Sequence, residues 1–167
     1  ASPPAVEVVF QSPGVPSEHP ALVALRRRSA ILTSNTELFF ERAPGTIIGV
    51  TGTKGKSTAT SLIAHVLRAA KRDVRLLGNI GTSCLDGLEG AGPDTIHCVE
   101  LSSFQLERLR VSPHIAVVLG IFADHLDRYR DLDEYVAAKS SITRFQTRTD
   151  TALYNADCPR ATALAEL

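Results

Sequence analysis

Thr46-Ile-Ile-Gly-Val-Thr-Gly-Thr-Lys-Gly-Lys-Ser-Thr58 is the stretch that decides how this chain folds. Its first half is a short, apolar, β-rich run. Its second half is a glycine turn that delivers Lys56, Ser57 and Thr58 to the start of an amphipathic helix. A strand, a glycine-rich turn and a helix N-terminus in that order make a phosphate-binding loop. Glycines let backbone amides face an anion, and the helix contributes the positive end of its dipole. Lys56 then reaches the outer phosphates and the Ser57 hydroxyl is placed to ligate magnesium. Gly52, Thr53, Lys54, Gly55 and Thr58 complete the nucleotide cradle, although Lys54 also fits a plain solvated loop lysine. The turn is read over Gly49, Gly52 and Gly55. Val50 stands where the common spacing has its first glycine, which marks a variant of the loop.

Outward from this stretch, short β-rich runs alternate with helical periodicity, the pattern of β-α-β units and a parallel sheet. The expected strands are Thr46 to Thr51, Val74 to Leu77, Ile96 to Glu100, Ile115 to Ile121 and Thr151 to Asn155. Several lack alternation, as strands covered on both faces do. Over Ser57 to Ala70, the residues Ala59, Leu62, Ile63, Val66, Leu67 and Ala70 fall on one helical face, with His65 on the opposite, solvated one. Gly87 to Pro93 reads as a loop. Before Ala43-Pro44-Gly45 the pattern differs. A proline-rich lead (Pro3, Pro4, Pro13, Pro16, Pro20) surrounds one extended stretch, Val6 to Phe10, and is followed by a helix over Ala21 to Arg28, a strand over Ala30 to Thr33 and a helix over Glu37 to Arg42. A domain boundary near Pro44 follows.

Bulk properties narrow the partners. The chain has 167 residues, enough for one domain and part of another. Lys plus Arg and Asp plus Glu each total 18, so net charge points to neither nucleic acid nor an acidic membrane. No apolar run is long enough to span a bilayer. Cys84, Cys98 and Cys158 lack paired metal spacing and read as reduced core thiols, which favours the cytoplasm.

In open parallel sheets ligands gather beyond the carboxyl ends of the strands. Three groups stand there: Glu100 after Ile96 to Val99, where a carboxylate can hold magnesium; Asp124 and His125 after Ile115 to Phe122, where an imidazole can ligate metal or meet substrate; and Asn79 between Gly78 and Gly81. Asn79 and Asp124 fit turn or capping roles equally well. Lys139, one of four lysines, sits in an expected helix beside the apolar stripe Tyr135, Ala138, Ile142 and Phe145. A lysine there ordinarily snorkels to water. Desolvated, it becomes a more nucleophilic amine, able to react with carbon dioxide.

Taken together, the strings Thr51-Gly-Thr-Lys-Gly-Lys-Ser-Thr58, Gly78-Asn-Ile-Gly81, Glu100-Leu-Ser-Ser-Phe-Gln-Leu-Glu107, Asp124-His-Leu-Asp-Arg-Tyr129, Tyr135-Val-Ala-Ala-Lys139 and Asn155-Ala-Asp157 resemble the Mur ligases. The Glu100 to Glu107 string is similar to the branch that adds D-glutamate to UDP-N-acetylmuramoyl-L-alanine, and it sets the chain apart from the folylpolyglutamate synthase relatives. Ser12-Pro-Gly-Val15 and Thr36-Glu-Leu-Phe-Phe40 resemble the end of that branch's first domain. The resemblance implies an α/β fold with a parallel sheet and flanking helices, like the phosphate-loop nucleoside triphosphatases. Residues 1–43 would be the remnant of a domain that binds the UDP substrate, plus a linker, and residues 44–167 a central ATP-binding domain incomplete at its C-terminal end.

It further implies a cytoplasmic, ATP-dependent ligase of peptidoglycan precursor synthesis working through an acyl phosphate. Lys56, His125 and Lys139 would be catalytic, and Ser57, Glu100, His125 and a carbamylated Lys139 would serve two magnesium ions. Gly14, Asn79 and His125 would face the nucleotide-sugar. The amino-acid site lies in a third domain that this sequence does not include, so the isolated chain is expected to be inactive without a C-terminal part or a partner chain. Two other readings stand beside it: a nucleotide- or phosphate-binding module without ligase activity, and another Mur-type glutamate ligase. The spacing from His125 to Lys139 is about one residue shorter than the family pattern, which falls on the loop Arg130 to Asp133.

Overall fold

Thr46–Thr51 (β3) is flanked by a strand on each side, which explains why it carries no alternation: from Ile47 to Thr51 every residue is buried. In the computed structural model, which describes residues 5–16 and 18–166, five strands form one parallel sheet in the order β4-β5-β3-β6-β7. The others are β4 (Val74–Gly78), β5 (Ile96–Glu100), β6 (Ile115–Val118) and β7 (Thr151–Tyr154). Pro3 and Pro4 of the proline-rich lead lie outside the described residues. Because β3 pairs with β5 and β6, the chain crosses over twice around its own first strand, and the carboxyl ends of β3, β5 and β6 come together.

Helix α3 (Lys56–Ala69) covers one face of the sheet, where Ile48, Ala64, Val74, Ile96 and Cys98 form a core with Ile63 and Leu67. The stripe it buries differs from the expected one. Thr60 and Ala64 face the sheet, whereas Leu62 is 59% and Val66 57% exposed. The helix is rotated because its first turn is fixed by the loop that precedes it. Thr60 is admitted to the core because its hydroxyl donates to the Lys56 carbonyl at 2.7 Å. His65 is exposed, as the periodicity requires.

The opposite face is covered by α5 (Leu132–Ala137), α6 (Pro159–Ala165) and the short α4 (Ser103–Leu106), over a larger core that includes Leu77, Val99, Leu106, Ala116, Tyr135 and Ile142. Gly49 is a constituent of this packing and not of the turn. It sits within β3, and a Cβ there would stand 2.8 Å from Pro113 Cγ and 3.0 Å from Leu101 Cδ1. The strand expected to reach Ile121 ends at Val118. Beyond it, Leu119 donates to the Thr51 carbonyl and the Gly120 carbonyl accepts from Thr53, so the chain leaves the ladder to follow the phosphate loop. Phe145, expected in the buried stripe, is partly exposed, because the helix ends at Ala137 and the chain turns through a 3-10 turn at Ser140–Ile142.

The first 43 residues add a two-stranded parallel ribbon, β1 (Val8–Phe10) with β2 (Ile31–Thr33), and two helices, α1 (Pro20–Arg27) and α2 (Asn35–Arg42). Ser34 caps α2 by accepting from the Glu37 amide at 3.0 Å. This segment is tied to the main core by Phe39 of α2, which is fully buried and meets the His97 ring edge-on at 5.2 Å. His97 Nε2 in turn lies 2.9 Å from the Pro44 carbonyl, which fixes the linker. All three cysteines are free and buried.

Candidate active site

The turn after β3 reverses the chain through two glycines in conformations that side chains resist: Gly52 at φ +151° and Gly55 at φ +83°. Gly55 is also the N-cap of α3, so the amides of its first turn have no side-chain partner. A Cβ on Gly52 would stand 2.7 Å from Leu119 Cβ, so the loop lies directly against the segment that follows β6. Lys56 folds back and donates to the carbonyls of Gly52 at 3.1 Å and Thr53 at 2.9 Å. Lys54, Gly55, Ser57 and Thr58 are exposed on the outer side of the turn. Thr53 is buried, with both its amide and its hydroxyl engaged by the segment Gly120 to Phe122.

Glu100 closes β5, in register with Val50 on one side and Gly78 on the other, and is only 2% exposed. One carboxylate oxygen accepts from Asn79 Nδ2 at 3.4 Å. The other, Oε2, is buried with no hydrogen-bond partner among the described residues. A buried carboxylate oxygen without a donor is costly unless a cation or donor meets it, so this atom fits a metal ligand. Gly78 is needed beside it: a Cβ there would fall 2.2 Å from the Glu100 carbonyl oxygen.

His125 is exposed, adopts φ +53° and lies 3.7 Å from Asp124. Its ring rests on Phe104 at 5.1 Å and on Tyr135 at 6.2 Å, so flat neighbours and not hydrogen bonds set its direction. Lys139 does not snorkel. It lies at the junction between α5 and the following 3-10 turn and is 1% exposed. Its Nζ stands 4.5 Å from the centroid of the Tyr135 ring and donates to the Gly52 carbonyl at 3.4 Å. Burial, reinforced by the charge of Lys56 and opposed by Asp124, brings its pKa down to about 7. A large share of Lys139 is therefore a neutral, nucleophilic amine near neutral pH.

These groups meet at one cavity of about 500 Å³. Gly14, Lys56, Asn79, His125 and Lys139 all line it, together with Thr36, Ser102, Ser103, Phe104 and Tyr135. Glu100 reaches it through Asn79, whereas Lys54, Ser57 and Thr58 are not among its walls. Among the described residues no group of three or more His, Cys, Asp and Glu side chains could hold a metal ion. Tyr135, Thr36 and Gln105 went unassigned in the sequence. Gln105 donates to Thr36 Oγ1 at 3.2 Å and completes a capping box with Ser102, a spacing that was legible. Tyr135 read only as core.

Residues 50–167 match the family model described as the Mur ligase middle domain. The UDP-N-acetylmuramoylalanine--D-glutamate ligase of Symbiobacterium thermophilum is 40% identical over 159 residues, which covers 95% of this chain and 35% of the relative. The enzyme of the same name from Nitrosococcus oceani is 43% identical over 161 residues, 96% of this chain and 35% of the relative. The chain thus spans about a third of the length of these curated relatives. Among solved structures, MurF ligase from Thermotoga maritima in complex with ADP superposes with a TM-score of 0.60 at 18% identity, covering 95% of this chain and 44% of that one. The UDP-N-acetylmuramate:L-alanyl-gamma-D-glutamyl-meso-diaminopimelate ligase from Neisseria meningitides gives 0.66 at 17% identity, covering 96% and 55%. At these identities the structural likeness speaks for the fold.

Proposed function

The chain belongs to the Mur ligase family, and from that premise we propose that it is the ATP-handling part of a ligase that joins D-glutamate to UDP-N-acetylmuramoyl-L-alanine. The reaction activates the alanyl carboxylate as an acyl phosphate, which the amine of D-glutamate then attacks to give an amide, ADP and phosphate. The observation that carries this reading is the single cavity shared by Lys56, Lys139, His125, Asn79 and Gly14. A binding module without chemistry has no use for a buried lysine facing the phosphate-loop lysine.

In this reading Lys56 leaves the Gly52 and Thr53 carbonyls to meet the transferring phosphate. The exposed turn Lys54 to Thr58 holds the triphosphate, with Gly52 letting the backbone approach it. Gly14, Asn79 and His125 face the nucleotide-sugar. Glu100 with Ser57, and His125 with a carbamylated Lys139, would hold two magnesium ions, which when bound offset the repulsion between the acidic reactants and the triphosphate. The buried, partly neutral amine of Lys139 supports its carbamylation, which would turn a cation into a carboxylate-like ligand. Residues 1–43 act as the end of a UDP-substrate-binding domain and residues 44–167 as part of the ATP-binding domain, in the cytoplasm. No described helix is long and apolar enough to cross a membrane.

The test is ADP release by the full-length gene product, given magnesium, ATP, UDP-N-acetylmuramoyl-L-alanine and D-glutamate. Release that requires both acceptors, and that falls by at least about 10³-fold in Lys56→Ala, is expected. Nucleotide binding without acceptor-dependent release would overturn the ligase reading. The 167-residue chain alone is expected to bind ATP and not turn over.

A further inference from the structure

The second threonine of the phosphate loop makes no use of the phosphate face. Thr53 is buried and its amide donates to the Gly120 carbonyl at 2.9 Å. Its hydroxyl oxygen accepts the Phe122 amide at 2.9 Å and lies 3.1 Å from the Phe122 carbonyl and 3.3 Å from the Tyr135 hydroxyl. A threonine hydroxyl has one proton and two lone pairs. The Phe122 carbonyl can only accept, so it takes the Thr53 proton. Thr53 Oγ1 is left to accept from the Phe122 amide and from the Tyr135 hydroxyl. Every capacity of the group is used, and the direction of each bond is set.

The partners are the informative part. Phe122 stands three residues before His125, on the segment that leaves β6. Tyr135 stands one helical turn before Lys139, and its ring lies 4.5 Å from the Lys139 amine. Lys139 Nζ then returns to the Gly52 carbonyl at 3.4 Å, one residue from where the circuit began. The phosphate loop, the His125 segment and the stretch from Tyr135 to Lys139 thus close a ring around one hydroxyl. We propose that Thr53 is a positioning residue whose hydroxyl locks the phosphate loop to the segments bearing His125 and Lys139, so that the three meet the reacting phosphate as one unit. Its catalytic consequence rests on the ligase reading. Its structural consequence does not.

Two substitutions in the full-length gene product separate these roles. Thr53→Val keeps the shape and removes the hydroxyl; Thr53→Ser keeps the hydroxyl. Thr53→Val is expected to lower kcat by about 10²-fold, the scale of a small misplacement of reacting groups, with the KM for ATP changed less than about threefold. Thr53→Ser is expected to restore kcat to within about threefold of the parent.

A second readout needs no turnover: acetylation of Lys139 by acetic anhydride, followed by mass spectrometry. Buried Lys139 is expected to react slowly in the parent and in Thr53→Ser, and several-fold faster in Thr53→Val and in Tyr135→Phe. Unchanged Lys139 protection in Thr53→Val overturns the proposal, as does a raised KM for ATP at unchanged kcat, which would make Thr53 a nucleotide contact. Should the parent release no ADP, the ligase reading fails while the acetylation pattern still decides the lock. Should Thr53→Val not fold, Tyr135→Phe carries both measurements.

Discussion

The cavity has two walls, built on different principles. One comes from the parallel sheet: Lys56, Gly78, Tyr135 and Lys139 stand at strand ends or on the turns and helix that follow them, and backbone ladders fix their places. The other comes from the first 43 residues, with Pro13, Gly14, Asn35 and Thr36. That segment has a two-stranded ribbon of three residue pairs, with Val8, Phe10 and Ile31 exposed. It is held to the rest by single side-chain bonds, Arg108 to the Val15 carbonyl at 2.8 Å, Arg128 to the Gly14 carbonyl at 3.4 Å and Gln105 to Thr36, and by the Phe39 anchor. The sheet wall is determined by topology, and the ribbon wall by a handful of residues that reach across. A substitution in the first should therefore cost folding, and one in the second should cost substrate geometry.

Phe39 is the exception that can break this division, because it belongs to the ribbon wall by sequence and to the sheet core by packing. It is fully buried against a cluster that includes Ile47 and Leu77. Phe39→Ala is expected to destabilise the protein by about 3–5 kcal/mol, the range for deleting a buried aromatic ring. Urea unfolding measures it. A loss below about 1 kcal/mol would show that residues 1–43 fold apart from the sheet.

Lys139 sharpens the contrast from the other side, since the sheet wall tolerates a group that weakens it. With a folded-state pKa near 7 against 10.5 unfolded, the unfolded chain binds the extra proton between those values, so stability rises with pH across that window. The penalty is present in full below it and gone above it. The charged groups acting on the amine are Lys56, which adds to the penalty, and Asp124, which reduces it. Lys139→Met is expected to raise stability at pH 7 by a few kcal/mol and to flatten the rise between pH 7 and 10.5. Urea unfolding in metal-free, carbon dioxide-free buffer at pH 7 and 9 checks it. Equal slopes in parent and variant would place the lysine in water and not in the wall.

The same division governs what the sequence disclosed. The sheet wall was legible because strand, glycine turn and helix follow one another in the chain, and because polar residues ending apolar runs must cluster when the runs are parallel. That ground placed Glu100 at the end of its strand and His125 beyond the next, where the structure has them. The burial of Lys139 was not legible: spacing put it on a flank, and only the early end of α5 at Ala137 turns it inward beneath Tyr135. Gly49 misled for a related reason. A glycine near a turn looks like part of it, and the close approach of Pro113 and Ile142 depends on segments distant in sequence. The rotation of α3 was missed because apolar spacing allows two neighbouring faces and the loop geometry selects one. Little of the ribbon wall's attachment was legible, since Arg108 and Val15 are 93 residues apart and nothing local couples them.

That attachment yields the smallest effects and the most selective ones. Arg108 Nη2 donates to the Val15 carbonyl at 2.8 Å, while Nε and Nη1 are buried with no hydrogen-bond partner among the described residues. Removing the side chain loses one charge-assisted bond and also relieves two unmet donors, so Arg108→Ala is expected to cost only about 1 kcal/mol of stability. Arg128 holds the neighbouring Gly14 carbonyl more loosely, at 3.4 Å, and pairs with Glu107 at 3.5 Å on a partly solvated surface. Its loss should cost about 0.5 kcal/mol or less. In the proposed reaction both act on the loop that faces the nucleotide-sugar and neither touches the phosphate loop. Each alanine variant is therefore expected to raise the KM for the nucleotide-sugar, Arg108→Ala by about 3- to 10-fold and Arg128→Ala by less, at an unchanged KM for ATP. Steady-state kinetics with each substrate varied in turn would show it. Equal effects on both KM values would mean that the two walls move as one body and that the ribbon is part of the rigid site.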